Sequence, residues 1–269
     1  MSKAIIGTAL ITGASGGIGA IYADRLARRG YDLILVARTA ERLEENAARI
    51  RAQTGRTVDV IVADLADPAA VSGVSERLER DPAISLLVNN AGITLNGGMF
   101  DNAPEALERL IAVNVTAPTL LAAAAGRAFA DRKTGTIINI GSVVTFIPET
   151  FEGVYSSSKA YILNLSLSLA AKLKDADVRV QAVLPGATRT EIWTRSGHDV
   201  DSLLPGKVMD AEDLVDAALV GLDKGELVTI PPLEDDGLWD TLDAARLALG
   251  PHLSQRDVAA RYRPTASAA

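Results

Sequence analysis

Tyr155 and Lys159 stand four residues apart in the run YSSSK, with three serines between them. Residues spaced i and i+4 share one face of a helix, so a phenol and an ammonium would lie on a common surface. A phenol with its ordinary pKa near 10 is poorly matched to proton transfer at neutral pH. A neighbouring ammonium favours the phenolate and pulls that pKa down. The pair suits acid–base work on an oxygen atom; the same run also suits a helix start with a packing tyrosine and a solvated lysine. Ser142 stands 13 residues before Tyr155, just past a short apolar run. Its hydroxyl can donate to an oxygen on which negative charge develops, or it can close a turn.

A second chemistry-bearing stretch is TGASGGIG, Thr12–Gly19. It follows a first apolar run and opens a helical segment. A glycine-rich turn in that place lets backbone amides, those of Ser15, Gly16 and Ile18 among them, approach a diphosphate at a helix N-terminus. Gly13 permits the turn, Gly17 leaves room for the ligand, and Gly19 lets the helix pack closely. The type of dinucleotide is read at the end of the second strand, where a carboxylate would accept from a ribose 2′-hydroxyl. Ala37 and Arg38 stand there instead. A guanidinium suits a 2′-phosphate by charge and geometry, so the expected cofactor is NADP(H) rather than NAD(H). Asp64, followed by Leu65, ends the third run and can accept from an adenine amino group or cap a helix. Asp67, just before Pro68, is the better cap.

These groups need a frame that brings them together. Seven apolar runs recur along the chain: Ala4–Ile11, Tyr31–Ala37, Val58–Ala63, Ile84–Val88, Thr136–Ile140, Val178–Leu184 and Leu227–Ile230. Most do not alternate with polar residues, as expected of parallel strands covered on both faces. Helical segments such as Ala20–Arg29, Ala40–Thr54, Pro68–Arg80 and Pro104–Arg132 lie between them. Strand and helix in alternation predict an α/β fold, a Rossmann-type doubly wound parallel sheet, in a single domain over 1–269.

The bulk properties narrow the function. A net charge of −7 repels phosphate backbones, so nucleic acid is not an expected partner. No cysteine is present and the two histidines, His198 and His252, are far apart, so no metal site is expected. The N-terminal run ends in Gly and Ser without a cleavage site, and no apolar run reaches the roughly 20 residues that span a bilayer. A cytoplasmic protein without a membrane partner is expected.

In order along the chain stand TGASGGIG at 12–19, Asp64, NNAG at 89–92, Asn114, Ser142, YSSSK at 155–159, and PG at 185–186 followed by Thr188 and Thr190. With these motifs the chain resembles the short-chain dehydrogenase/reductase family from residue 4 to about 190. Arg38 in LILVARTAERL is similar to the NADP-preferring members. The resemblance implies hydride transfer between NADP(H) and a carbonyl or secondary alcohol, with Tyr155 as general acid/base. Lys159 would tune Tyr155 and bind the nicotinamide ribose. Ser142 would hold the substrate oxygen, and Asn114 a water that links Lys159 to solvent. It further implies that Ala91 and Gly92 approach the adenine ribose. Asn90, with Asn89, is weighted toward support of the sheet. Pro185, Gly186, Thr188 and Thr190 would hold the nicotinamide carboxamide. A 3-oxoacyl thioester reductase and a cofactor-sensing protein without turnover are the alternatives.

Residues 190–208, with Ile192, Trp193, His198, Leu203 and Leu204, are expected to cover the substrate. Val143–Phe151, with Phe146 and Ile147, would form another wall. The helix after Tyr155 carries Ile162, Leu163, Leu165, Leu167 and Leu169, more than one face can bury against a sheet. The small run Ala122–Ala125 would also permit close packing on a partner, so a homodimer or homotetramer is expected. Residues 231–269 form a C-terminal extension in which Leu238, Trp239, Leu242, Ala245 and Leu249 make an amphipathic helix.

Overall fold

The computed structural model describes residues 6–151, 153–190 and 200–263. Two compact units are present, Met1–Pro232 and Leu233–Ala269. The first carries one seven-stranded sheet: β1 (Thr8–Thr12), β2 (Asp32–Ala37), β3 (Val58–Val62), β4 (Ile84–Asn89), β5 (Gly135–Ile140), β6 (Val178–Val183) and β7 (Val228–Thr229). Their spatial order is β3-β2-β1-β4-β5-β6-β7, and every pairing is parallel. This is the doubly wound sheet that the unalternating apolar runs predict.

The reason for those runs is visible in the register. Leu10 pairs with Ile34 on one side and Leu87 on the other, and all three point into one apolar layer. Their neighbours Ala9, Ile11, Leu33, Leu35, Leu86 and Val88 point into the opposite layer. Successive side chains of a strand face opposite ways, so two covered faces require apolar residues at every position.

The helices that cover the sheet are α1 (Gly17–Arg29), α2 (Ala40–Thr54), α3 (Pro68–Arg80), α4 (Pro104–Ile111), α5 (Ala117–Arg132), α6 (Gly153–Leu173), the short α7 (Val200–Leu203) and α8 (Ala211–Lys224). Helix α3 starts as its sequence specifies: Pro68 takes the first turn and the Asp67 carboxylate accepts from Ala69 N–H at 2.9 Å. The second unit holds α9 (Gly237–Leu253), none of whose residues is buried.

Three expectations change in detail. Ile6 and Gly7 precede β1 rather than lead it, because Gly7 takes φ +140°, outside the strand region. Strand β7 is two residues long, since Pro231 and Pro232 cannot extend a ladder. The helical stretch Pro104–Arg132 is broken by a π-turn over Ala112–Thr116. Its mean hydropathy of 1.3 matches a packed helix here, with 56% of its most apolar window buried. In the run Ala122–Ala125 three residues pack within the chain: Ala122, Ala124 and Ala125 are fully buried, the latter two in one layer with Val71 and Val74 of α3, while Ala123 is half-buried.

Candidate active site

The site begins where β1 turns into α1. Gly13 has φ +68°, and a β-carbon there would stand 3.0 Å from the Ala91 backbone. At Gly19 a β-carbon would strike the Gly13 carbonyl oxygen. Both positions leave only hydrogen where backbone must come close, so the turn is a cradle that any side chain would fill. Gly16 and Gly17 continue it, with Ser15 and Ile18 half-buried at its rim.

Asn90 holds this cradle from β4. Its side-chain amide donates to Thr12 O at 2.9 Å and Gly13 O at 3.3 Å. The Thr12 hydroxyl accepts from the backbone N–H of Asn90 and of Ala91, each at 3.0 Å, and donates to Val88 O at 3.3 Å. Thr12 was not among the predicted site residues, although it heads the glycine motif. One hydroxyl cannot announce from sequence that it will serve three backbone groups at a strand crossing.

Arg38 follows β2 as an exposed residue, near enough to Asp64 for its charge to act there. Burial raises the Asp64 carboxyl, but Arg109, the Ala66 N–H and the charge of Arg38 together hold it below the ordinary carboxylate range. Arg109 Nη2 donates to Asp64 Oδ2 at 2.7 Å, and Ala66 N–H donates to Oδ1 at 3.0 Å. Arg109 was not anticipated either; its partner lies 45 residues away. The Leu65 side chain belongs to the core, so any ligand contact there is through backbone.

Gly92, Asn114 and Lys159 converge. A β-carbon at Gly92 would lie 3.5 Å from Lys159 Nζ and 3.6 Å from Asn114 Oδ1. The π-turn turns Asn114 inward, where Oδ1 accepts from Ile93 N–H and Nδ2 donates to Ile93 O, each at 2.9 Å. Nδ2 also reaches Ser158 Oγ at 3.2 Å. Asn114 thus binds the chain after β4 to helix α6.

Lys159 is 6% exposed, and its ammonium donates to Ile140 O at 3.0 Å. That carbonyl ends β5, two residues before Ser142. Burial pushes the lysine down to about 8. The Lys159 nitrogen stands 5.6 Å from the Tyr155 ring centroid. In the chain alone burial pushes Tyr155 up to about 12; the lowering expected at this position draws also on the positive charge of an oxidised nicotinamide. A phenolate would lose more hydration than an ammonium engaged by Ile140 O returns. Phe151 packs on Tyr155 with ring centroids 5.5 Å apart.

Ser142 is buried; its hydroxyl donates to Pro185 O at 3.4 Å and accepts from Val144 N–H at 3.4 Å. The loop after β6 is thereby tied to the loop after β5. In that loop the Thr188 hydroxyl donates to Gly186 O at 3.0 Å, and Thr190 Oγ1 to Thr188 O at 3.4 Å. The Thr190 methyl carbon lies 3.6 Å from a β-carbon built on Gly17. The predicted residues after β1, β4, β5 and β6 therefore meet along one rim of the sheet, beside the switch point between β1 and β4 where open α/β sheets bind ligands. Ile192, Trp193 and His198 lie outside the described residues.

Residues 7–201 match the family model described as short chain dehydrogenase. The chain belongs to that family. Its fold is that of a short-chain dehydrogenase from Sphingobium yanoikuyae solved in complex with NADPH, with TM-score 0.92 and 51% identity, covering 96% of this chain and 100% of that one. The bulky-bulky ketone specific alcohol dehydrogenase from Comamonas testosteroni is 45% identical with TM-score 0.89, over 96% of this chain and 99% of its own. Human 17-beta-hydroxysteroid dehydrogenase type 3 is 35% identical over 68% of this chain, a match that spans 59% of that relative's length. The chain is an oxidoreductase of this family, of the kind that transfers hydride.

Proposed function

We propose that this dehydrogenase reduces ketones with NADPH, or oxidises the corresponding secondary alcohols, and that its preferred ketones carry a large group on each side of the carbonyl. The observation that carries the reading is the convergence of Lys159, Asn114 and Gly92 beside the glycine cradle, with Tyr155 one turn before Lys159. The cradle at Gly13 and Gly19 fits a diphosphate, and the Arg38 guanidinium fits a 2′-phosphate. Asp64 would accept from the adenine, Gly92 and Lys159 would border the nicotinamide ribose, and the Thr188–Thr190 backbone would meet the carboxamide. Bound NADPH supplies a hydride to the carbonyl carbon.

Tyr155 supplies the proton. The phenol is protonated at neutral pH, as a donor to a developing alkoxide must be, and the charges of Lys159 and of an oxidised nicotinamide would bring its pKa down from about 12. Ser142 donates to the same oxygen once its weak 3.4 Å contact with Pro185 O is released. Asn114 keeps the chain beside Gly92 in place while Lys159 holds the ribose side. Phe151, 36% exposed, packs on Tyr155, and Ile147 in the same segment is 46% exposed, apolar surface suited to bulky substituents. The name of the Comamonas testosteroni relative supports that substrate class.

A homo-oligomer is part of this proposal: Leu165, Leu167 and Leu169 of α6 are only half-buried in one chain. Sedimentation showing monomer alone at working concentration would remove it. The reaction is tested by NADPH consumption with diaryl and aryl-alkyl ketones, small ketones and 3-oxoacyl thioesters. Turnover of the bulky ketones, and its loss in Tyr155→Phe with NADPH affinity kept, is the expected result. Turnover retained in that variant overturns the assignment of Tyr155; preference for the thioesters overturns the substrate class.

A further inference from the structure

Arg189 stands between Thr188 and Thr190, the two residues assigned above to the nicotinamide side of the cradle, and Thr190 lies beside Gly17. Its side chain engages two carboxylates. Nε donates to Asp210 Oδ1 at 2.9 Å, and Nη1 donates to Asp201 Oδ2. Asp201 lies on α7 and Asp210 is the residue before α8. One guanidinium therefore joins two carboxylates on the returning part of the chain, and they raise its pKa above the ordinary value. Planar guanidinium is suited to such a double engagement, which an ammonium on a flexible stem is not.

The backbone repeats the connection. Arg189 N–H donates to Met209 O at 2.9 Å, and Met209 N–H donates to Ala187 O at 2.9 Å. Thr188 and Met209 thus form an isolated parallel bridge. Two bonds outside any sheet are a weak anchor for a loop that must stay fixed. The cleft beside Gly17 has Arg189 and Thr190 on one wall and Ala211 on the other. Arg189 and Asp210 join the two walls.

We propose that Arg189 is a positioning residue: through Asp201 and Asp210 it clamps the Ala187–Thr190 loop to the start of α8 and so fixes the groups that orient the nicotinamide. The proposal rests on the cofactor reading above. It assigns no direct ligand contact to Arg189. Because the pairs are exposed, salt should weaken the clamp.

The test compares the full-length protein with Arg189→Met, Arg189→Lys and the double variant Asp201→Asn/Asp210→Asn. Amide exchange at residue 189 and Met209 should quicken about fivefold in Arg189→Met and in the double variant, with no further gain when the two are combined. Arg189→Lys should lie between. With ketone and NADPH, kcat should fall about tenfold while the NADPH Kd changes less than about twofold, since small displacements of an orienting group cost rate more than affinity. Raising salt to 1 M should lower the kcat of the parent toward that of Arg189→Met and leave the variant unchanged. Unchanged exchange at both amides overturns the proposal. So does a tenfold rise in NADPH Kd with unchanged exchange, which would make Arg189 an anion contact, or exchange quickened equally across β4 and β5, which would mark general destabilisation. If the parent protein turns over no ketone, the proposed reaction fails, and the amide exchange still decides the clamp.

Discussion

Lys159 is a buried cation, and replacing it should make the cofactor-free protein more stable while ending its activity. The lysine pKa falls from 10.5 to about 8 on folding, which corresponds to about 3 kcal/mol of cost for keeping the ammonium charged inside. Its hydrogen bond to Ile140 O returns about 1 kcal/mol. Methionine keeps the unbranched stem and removes the charge, so Lys159→Met should gain about 2 kcal/mol at pH 7. For a chain of this size that raises the thermal midpoint by about 3 to 4 °C. The sign of the pH dependence follows from the depressed folded pKa. Between about pH 8 and 10.5 the unfolded chain binds the proton and the folded chain releases it, so the parent gains stability as pH rises through that window. The advantage of Lys159→Met should be full below pH 8 and gone near pH 10. Urea unfolding of both proteins at pH 7, 8.5 and 10 reads it directly. A variant less stable than the parent at pH 7, or a difference constant across the three pH values, would refute the claim that burial of charge dominates at this position.

Three further outcomes are expected. Arg38→Ala should raise the NADPH Kd about 10- to 100-fold, the loss of a charge-assisted contact, and leave the NADH Kd within about twofold, as read by calorimetry. Gly19→Ala should push Gly13 and Asn90 apart and weaken NADPH binding by at least about tenfold, measured by fluorescence titration. Thr12→Val keeps the shape of the buried side chain but strands the N–H groups of Asn90 and Ala91. It should cost about 2 kcal/mol in urea unfolding.

Much of this was legible in the sequence, for identifiable reasons. Parallel strands buried on both faces must be apolar throughout, so the seven runs stood out, and the glycine cradle is dictated by backbone proximity that only glycine permits. What the sequence hid depends on long-range partners. The Arg109–Asp64 and Arg189–Asp210 pairs join elements that only the folded chain brings together. The burial of Ala122, Ala124 and Ala125 was hidden because small residues suit close packing within one chain as well as between two. At Tyr155 the i, i+4 spacing reveals a neighbouring charge but not the burial that pushes the phenol up in the chain alone.

The strand order has a consequence for how the chain must assemble. Strand β1 is made first, yet it lies between β2 and β4, and the Thr12 hydroxyl finds its acceptor at Val88, 76 residues later. Until β4 is available, one edge of β1 carries unpaired amides and carbonyls. An N-terminal fragment ending before β4 therefore has the whole glycine motif but lacks the Asn90 and Ala91 groups that hold it open. Binding competence arrives late in synthesis, when a distant strand closes the centre of the sheet, and contacts of such long sequence separation make that closure slow.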